Sequence, residues 1–234
     1  MARRTPEAWI DELVAAAAEA FTRSGYKRTQ MADIARAMGV SPGSLYRYVE
    51  GKEALFDLVV QRAFAAAPPP VPSLPIPTPG REALLGHLRA RVDWETDLPT
   101  LVRAAGPRSR VGDVRAEAAG VIGELYDLLA RQREGLALIE RCVADRPELV
   151  EVYFGELRSG LLESLERWIA RRGRQGHFAP VLDAAATTRI LVEGVAYMAW
   201  KRHRDPWPDT YTEATARDST IALYTRALVL EDST

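Results

Sequence analysis

Hydroxyl, tyrosine and basic side chains concentrate between Thr22 and Lys52. Six basic and two acidic residues give this stretch a local charge of +4, whereas the formal net charge of the 234-residue chain is −1. Guanidinium, ammonium, hydroxyl and phenol groups suit hydrogen bonds to DNA phosphates and to base edges. Because basic and acidic residues balance over the whole chain, a nucleic-acid surface must be local. The charged residues of the stretch are Arg23, Lys27, Arg28, Arg36, Arg47 and Lys52, with Asp33 and Glu50.

A first short helix is predicted after Thr29. Its hydroxyl can accept a hydrogen bond from a backbone N–H of the first turn, which makes Thr29 a candidate N-cap. Apolar residues then recur at the helical i, i+3, i+4, i+7 spacing. Gly39 follows, where a turn with positive φ favours glycine. The apolar positions are Met31, Ile34, Ala35 and Met38.

A second short helix is predicted from about Pro42 to Tyr48. Ser41 is its candidate cap, and Pro42 stands in the first turn, where a missing N–H has no cost. Leu45 is expected to be buried, which leaves polar and aromatic neighbours at the surface. A helix, a glycine turn and a short polar helix outline a helix-turn-helix, although the spacing alone also fits an ordinary helical hairpin.

This order of residues resembles the DNA-binding domain of the tetracycline-repressor (TetR) family of bacterial transcription regulators. The resemblance covers roughly Pro6 to Phe64. Four residues depart from the usual pattern: Ser44 replaces threonine, Val49 replaces phenylalanine, Gly51 replaces serine and Met38 replaces alanine. The matching residues are Gly25, Thr29, Ile34-Ala35, Gly39-Val40-Ser41, Gly43-Ser44-Leu45-Tyr46, Tyr48 and Lys52-Glu53-Ala54-Leu55.

The resemblance implies two sets of DNA contacts. Arg47 is the best candidate for a bidentate contact to guanine, because its planar guanidinium matches two acceptors on that base. The expected phosphate contacts are Thr29, Tyr46, Tyr48 and Lys52, and the expected base contacts are Ser41, Pro42, Gly43, Ser44 and Arg47.

Composition is that of a globular protein, with 47% hydrophobic and 27% charged residues. The single cysteine, Cys142, excludes an internal disulfide framework and fits a reducing compartment. The sequence shows neither a signal segment nor an apolar run of membrane-spanning length. We therefore expect a cytoplasmic protein without a membrane partner.

A proline-rich segment separates two helical regions. Seven of the fifteen prolines lie between Ala67 and Gly80, so this segment is predicted to be extended rather than helical. Its position favours a semi-rigid spacer, although proline-rich peptides can also be ligands for aromatic-lined grooves. The expected domains are residues 1–66 for DNA binding, 67–80 as linker, and 81–234 for ligand binding and dimerisation.

From Arg81 onward the pattern is helical throughout, which predicts an all-α fold with a helical-bundle regulatory domain. Helix ends are indicated by proline, glycine and aspartate clusters. The predicted helices are Arg81–Trp94, Leu98–Ala105, Val111–Cys142 with a possible bend at Gly135, Pro147–Arg172, Leu182–Arg204 and Ala214–Leu230.

The segment from Ile190 to Trp200 is apolar on nearly every side apart from Glu193. Such a helix is either the central helix of a monomer or is buried against a second subunit. In the TetR family the last two long helices form a four-helix dimer interface, so the resemblance implies a homodimer. The expected interface residues are Ile190, Gly194, Tyr197, Ile221, Tyr224 and Leu228.

The resemblance also implies an apolar cavity for a small-molecule effector in the C-terminal half. Aromatic residues at helical spacing can equally be plain core. Their balance predicts an apolar or aromatic ligand. The candidate lining residues are Trp94, Leu125, Tyr126, Leu129, Cys142, Tyr153, Phe154, Trp168 and Tyr197.

Catalytic and metal-binding motifs are missing from the sequence. It has no G-x-S-x-G elbow, H-E-x-x-H, C-x-x-C or phosphate-binding glycine loop. His87, His177 and His203 do not have a recurring ligand spacing. Cys142 is predicted to be an inert buried thiol rather than a redox sensor. We expect neither an enzyme nor a cofactor.

These observations lead to one principal hypothesis. We expect a homodimeric, ligand-responsive repressor that binds a palindromic double-stranded DNA operator with one helix-turn-helix per half-site. Two alternatives remain from the sequence alone: an all-α enzyme, and a helical interaction module that uses the proline-rich segment and does not bind DNA specifically.

Overall fold

The computed structural model describes residues 5–65, 73–91, 94–106, 109–110, 112–207 and 209–230. These residues form helices and connecting loops, and the predicted all-α fold class is confirmed. None of the described helices is long and apolar enough to cross a membrane. In chain order the elements are α1 (Pro6–Ser24), α2 (Met31–Ala37), α3 (Pro42–Leu45), α4 (Lys52–Ala63), α5 (Arg81–Arg91), α6 (Trp94–Asp97), α7 (Pro99–Ala105), α8 (Val114–Arg131), α9 (Arg133–Cys142), α10 (Pro147–Leu149), a π-helix (Val150–Arg158), α11 (Ser159–Arg174), α12 (Ala184–Ala199), a 3₁₀ helix (Lys201–Arg204) and α13 (Glu213–Leu228).

The helices pack into two compact units. The described residues of Met1–Val92 and Glu134–Gly155 form the first, and those of Asp93–Arg133 and Glu156–Thr234 form the second. The first unit thus groups α5 and residues 134–155 with the N-terminal helices. The domain boundaries expected at residues 66 and 80 stay a prediction.

In the first unit, α1 is the support helix on which α2 and α4 pack. Thr5 caps α1 by accepting a hydrogen bond from the Ala8 N–H, at 3.3 Å. Gly25 ends the helix with φ 84°, a conformation that a side chain would strain. Ile10, Leu13, Ala17, Ala20 and Phe21 are the buried residues of α1.

The loop before α2 differs from the predicted one. The N-cap is Gln30 rather than Thr29, and Gln30 exchanges capping hydrogen bonds with Asp33. Gly39 has φ 68°, as its position in the turn requires. Ser41 precedes α3 as predicted, but α3 ends at Leu45 and the chain continues through a turn. The helix α3 is therefore shorter than the predicted helix from Pro42 to Tyr48.

The described part of the proline-rich segment lies on the first unit. Ile76 is 6% exposed and pairs with Val49 in an isolated parallel β-bridge. This contact differs from the spacer that the composition favoured, because the backbone of Ile76 bonds to residues 48 and 50 instead of to solvent. Pro68, Pro69, Pro70 and Pro72 lie outside the described residues.

The second unit is built around α8, which packs against α12 and α13, while α11 packs on α7 and α12. Trp168 and Tyr126 are fully buried in its apolar core. Arg172 is also fully buried and holds both carboxylate oxygens of Glu117 at 2.7 Å. Burial opposes ionisation of Glu117, but hydrogen bonds from Arg172 and Trp168 outweigh it and lower the pKa of Glu117. The charged pair is therefore satisfied inside the core.

The long predicted helices are interrupted. The span predicted from Val111 to Cys142 breaks at Gln132, between α8 and α9, three residues before the suspected bend. At Gly135 the ring of Phe64 lies 2.6 Å from where a Cβ would stand, so this glycine serves close packing within the first unit. The span predicted from Pro147 contains a π-helix, and the one to Arg204 ends as a 3₁₀ helix.

Candidate DNA-binding surface

The start of α3 presents a small polar surface to solvent. Ser41, Pro42 and Gly43 are exposed, whereas Leu45 is fully buried and holds the helix on the first unit. Ser44 is partly buried, and its hydroxyl oxygen lies 2.9 Å from that of Ser41. This hydroxyl pair can both donate and accept hydrogen bonds at the exposed end of the helix.

Two exposed side chains follow the last turn of α3. Tyr46 is 50% exposed. Arg47 is exposed too, and within the part of the chain that the structure describes its guanidinium has no hydrogen-bond or ion-pair partner. By contrast, Arg36 on α2 is paired with Asp33 at 3.1 Å. Arg47 therefore keeps all five donors for an external partner.

Tyr48 is held against α1 by a contact that the sequence analysis missed. Its ring stacks on that of Trp9 with centroids 3.7 Å apart and planes 16° from parallel. Trp9 directly precedes Ile10 and so lies beside the apolar stripe of α1. This position in the sequence is the feature from which its packing could have been predicted. The stack fixes the direction in which the phenol of Tyr48 points.

Thr29 does not present its hydroxyl to DNA. The residue is 2% exposed, and the hydroxyl donates to the carbonyl oxygens of Ala20 and Gly25, at 3.1 and 2.7 Å. Its predicted phosphate contact is therefore wrong for the side chain. The hydroxyl instead joins the end of α1 to the loop that leads into α2.

Lys52, at the start of α4, also turns inward. Its ammonium donates to the carbonyl oxygens of Tyr26 and Thr29, each at 3.0 Å, with Lys27 O at 3.5 Å. It also lies 4.4 Å from the centroid of the Tyr26 ring. Partial burial lowers the pKa of Lys52, while Asp145 acts in the opposite direction. The three donors are engaged internally, so the predicted phosphate contact through this ammonium is corrected to a role in closing the α1–α2 loop.

A distant segment of the first unit secures the same loop. The Lys27 N–H donates to Asp145 Oδ2 at 2.8 Å, and a Cβ on Gly25 would stand 2.9 Å from that oxygen. The guanidinium of Arg141 donates to the carbonyl oxygens of Arg23 and Ser24, at the end of α1. These bonds give the loop a fixed geometry, and they join residues about 118 positions apart in the chain.

Arg146 extends this attachment to α4. It is 7% exposed, donates to Glu53 at 3.0 Å and to Glu148, and lies 4.5 Å from the centroid of the Tyr26 ring. Partial burial raises the pKa of Tyr26, against the opposing effect of Arg146. The cation is thus paired and hydrogen-bonded, as a buried charge must be.

Known proteins match this arrangement at two levels. Residues 13–59 match the family model described as bacterial regulatory proteins, tetR family. Residues 13–59 therefore form the N-terminal region of a TetR-family regulatory protein. The matched residues include α2, α3 and the start of α4, and hence the exposed surface described above. TetR-family regulators are transcription factors without enzymatic activity.

Solved structures share the fold over nearly the whole chain. The ketosteroid transcriptional regulator KstR2 of Mycobacterium tuberculosis is 16% identical with a TM-score of 0.59, over 97% of this chain and 98% of that one. A tetR-family regulatory protein from Rhodococcus RHA1 is 16% identical with a TM-score of 0.57, over 95% and 98%. NalD of Pseudomonas aeruginosa, the secondary repressor of the MexAB-OprM efflux pump, is 18% identical with a TM-score of 0.55, over 97% and 99%. At these identities the likeness establishes the fold of the regulator.

The second unit exposes apolar side chains along α12 and α13. Ile190 and Leu223 are 67% and 64% exposed. Tyr197 is also exposed, and the phenol of Tyr224 donates to the Ile190 carbonyl at 3.3 Å, so the two helices lie side by side. Gly194 makes this approach possible, because a Cβ there would stand 1.8 Å from the Tyr224 oxygen.

The predicted dimer residues do not all share this exposed face. Ile221 and Tyr224 are partly buried and pack against the core of their own unit. Leu228 is 4% exposed and belongs to that core, so its predicted contact with a second chain is wrong. Leu223, which is not among the predicted residues, is exposed instead. The interface itself stays a prediction.

The predicted ligand residues are divided between the two units. Leu125, Tyr126 and Trp168 lie in the core of the second unit, and Trp94 and Leu129 pack against it. Cys142, Tyr153 and Phe154 belong to the first unit, and Tyr197 is exposed. The predicted ligand set itself stays a prediction.

Several of these side chains are already engaged in internal bonds. The phenol oxygen of Tyr126 lies 2.8 Å from Glu213 Oε1 and 3.1 Å from the Met198 carbonyl oxygen, and burial together with the Glu213 bond raises its pKa to about 12. Trp168 donates its indole N–H to Glu117 at 2.9 Å. The Cys142 thiol lies against Phe21 O, and burial raises its pKa to about 11. A thiol with such a pKa is a poor nucleophile at neutral pH.

The three histidines do not build a metal site. Among the described residues no group of three His, Cys, Asp or Glu side chains is arranged to hold a metal ion. His87 instead lies 2.9 Å from the buried carboxylate of Asp57, which also accepts a hydrogen bond from Gln61. His203 lies 3.1 Å from Glu213. The two histidines have a local structural partner each.

Proposed function

We propose that this TetR-family regulator is a cytoplasmic repressor that binds a palindromic operator as a homodimer and leaves it when a small apolar or aromatic ligand binds. The observation that carries the DNA-reading part is the exposed Arg47, which has no internal partner among the described residues, next to the exposed start of α3. A bidentate arginine is the commonest specific contact to guanine.

Base reading falls to the residues of α3 that face solvent: Ser41, Pro42, Gly43, Ser44 and Arg47. Tyr46 and Tyr48 take phosphate contacts, because phenol hydroxyls at the edge of a helix-turn-helix can reach the DNA backbone. The ammonium of Lys52 and the hydroxyl of Thr29 support the loop instead. Phosphates near α4 are left to the backbone N–H groups of its first turn.

Dimerisation through α12 and α13 is supported by the exposed apolar side chains of Ile190, Tyr197 and Leu223. Large apolar side chains along two adjacent helices are unfavourable in water and are typical of surfaces that a second subunit covers. Two heads related by a twofold axis would read the two half-sites of one palindrome. An effector that binds one dimer arrangement better than another would then change operator affinity.

Genomic selection is the experiment that tests this proposal. The purified chain is mixed with sheared DNA of the organism that encodes it, and the retained fragments are sequenced at several salt concentrations. We expect enrichment of one palindromic site, with an affinity that falls steeply as salt rises. Arg47→Ala should enrich the site more weakly, with the preference at one base pair relaxed. A folded wild-type sample that enriches no sequence at any salt would contradict the proposal.

A further inference from the structure

The described end of the proline-rich segment, Ser73–Gly80, is here called the proline strap. Its central residue bonds to both sides of Val49, which follows α3. The Ile76 N–H donates to the Tyr48 carbonyl at 2.7 Å, and the Ile76 carbonyl accepts from the Glu50 N–H at 3.0 Å. The strap therefore pairs with the chain at the end of the recognition helix, as a parallel bridge.

The sequence of the strap explains why it pairs on one side only. Prolines alternate with other residues in Pro75-Ile76-Pro77-Thr78-Pro79, so backbone N–H groups remain only at Ile76 and Thr78. In an extended chain, alternate residues point the same way. Both of these N–H groups bond to the turn that follows α3. The Ile76 N–H donates to Tyr48, as described above, and the Thr78 N–H donates to Glu50 Oε2 at 2.8 Å.

An apolar contact accompanies these bonds. Ile76 is 6% exposed and Val49 is fully buried, whereas Leu74 in the same strap is 40% exposed. The side chain of Ile76 thus anchors the strap, and that of Leu74 does not. Burying an isoleucine contributes free energy that the backbone bonds of a short extended segment do not supply alone.

Tyr48 is consequently held from two sides. Its ring stacks on Trp9 and its carbonyl accepts the Ile76 N–H. Arg47 comes directly before Tyr48, so the position of its backbone depends on both contacts. Base reading requires a guanidinium placed within a few tenths of an ångström of two acceptors, and an error of that size is enough to lose a bidentate contact.

We propose that Ile76 is a positioning residue for DNA recognition: as the anchor of the strap, it fixes the turn that follows α3 and thereby aims Arg47 at the base it reads. The inference rests on the proposed DNA-binding function. Ile76 does not touch DNA. It acts through the backbone of Tyr48 and Glu50.

The test compares Ile76→Ser, which removes the anchoring side chain, with Ile76→Val, which keeps it. Leu74→Ser is the matched control, because it makes the same kind of change at an exposed position of the strap. Two quantities are measured for each full-length variant: the exchange rate of the Glu50 backbone amide, and the affinity for DNA. The DNA probes are the palindromic fragment recovered by genomic selection and a random duplex of equal length.

In Ile76→Ser we expect the Glu50 amide to exchange at least about tenfold faster, because its acceptor is released by local opening. Affinity for the selected fragment should fall by about tenfold, while affinity for the random duplex changes less than about twofold, because non-specific binding depends on phosphate charge. Ile76→Val and Leu74→Ser should behave like the wild type. A merely structural role would lower both affinities together or neither.

Faster Glu50 exchange with an unchanged ratio of the two affinities would overturn the proposal, as would unchanged exchange in Ile76→Ser. If Ile76→Ser does not fold, Thr78→Pro replaces it, since this change removes one of the two donors while keeping an extended backbone. If the wild type selects no fragment, the DNA-binding proposal fails first. A protected Glu50 amide in that sample would still show that the strap is docked, so the two failures are distinguishable.

Discussion

Trp9 supports Tyr48 by face-to-face stacking between the start of α1 and the turn after α3. Trp9→Ala removes the stack and should weaken binding to the selected operator fragment by about two- to tenfold, because such ring pairs contribute about 0.5–1.5 kcal/mol. Trp9→Phe, which keeps a ring, should lose less. Fluorescence anisotropy with labelled DNA measures both, and Trp207→Ala, at an 83% exposed tryptophan, is the control. Unchanged affinity in Trp9→Ala would mean that Tyr48 needs no such support.

Arg47 is expected to read a base. Arg47→Ala should weaken operator binding by about 1–3 kcal/mol and relax the preference at one base pair. Arg47→Lys keeps the charge but not the planar fork, so it should retain affinity for random DNA while losing that preference. Competition between the operator fragment and its single-base variants measures the effect. Equal losses on specific and random DNA would contradict base reading.

Lys52 is expected to stabilise the head rather than to bind phosphate. Lys52→Met leaves three carbonyls without their donor and should lower the thermal unfolding midpoint, since a hydrogen bond to a charged group contributes about 1.5–3 kcal/mol when buried and less when partly exposed, as here. The slope of log affinity against log salt should stay unchanged. Lys27→Met, at an exposed ammonium, is the matched control for the midpoint. If the slope of log affinity against log salt falls by about one in Lys52→Met, Lys52 does contact a phosphate of the DNA.

The exposed apolar face of α12 and α13 is expected to hold the dimer together. Ile190→Arg and Leu223→Arg should each convert the dimer to a monomer, because they place an unpaired cation at the covered surface. Val102→Arg is the control, since Val102 on α7 is also exposed. Sedimentation velocity distinguishes the two states. Dimers that persist in both variants would place the interface elsewhere.

The thiol of Cys142 is expected to be unreactive in the folded protein. Its pKa is raised to about 11 from 9.0, chiefly by burial, so it should react with iodoacetamide at pH 8 far more slowly in the folded than in the urea-unfolded chain.

The raised pKa of Cys142 also makes the free energy of unfolding depend on pH. The folded state holds the proton more tightly than the unfolded state, so the corresponding stabilisation is present below about pH 9 and is lost as the pH rises through about 11. The free energy of unfolding of the wild type should therefore fall relative to that of Cys142→Ala over this window. Urea unfolding at a series of pH values measures the difference, and a constant difference would show that folding does not raise the pKa of the thiol.

Turns and helix ends were the part of the fold that could be predicted from the sequence. Gly39 follows α2 with positive φ, and Ser41 with Pro42 begins α3. Each of these features depends on a few neighbouring residues, for which turn and cap preferences are strong. The family resemblance rested on the same stretch, and the matched residues 13–59 confirm it.

Contacts between distant residues set the remaining features. Thr29 has the chemistry of an N-cap, but two carbonyls at the end of α1 accept its hydroxyl. Lys52 is basic and close to α3 in the sequence, yet its ammonium donates to carbonyl oxygens of the loop between α1 and α2. Leu223 and Leu228 are equally apolar, and only packing of α13 against α8 decides that Leu228 faces inward. No local pattern contains this information.

The alternating prolines of the strap have a further consequence for how the protein behaves at high concentration. An extended segment at the edge of a domain is a template onto which another chain can add a β-strand, and from which aggregates grow. Here the N–H groups of Ile76 and Thr78 already bond to Tyr48 and Glu50. Pro75, Pro77 and Pro79 have no N–H that could donate on the outer side. Between Pro75 and Pro79 the outer edge therefore presents acceptors without donors, and an incoming strand cannot form a continuous ladder with this stretch.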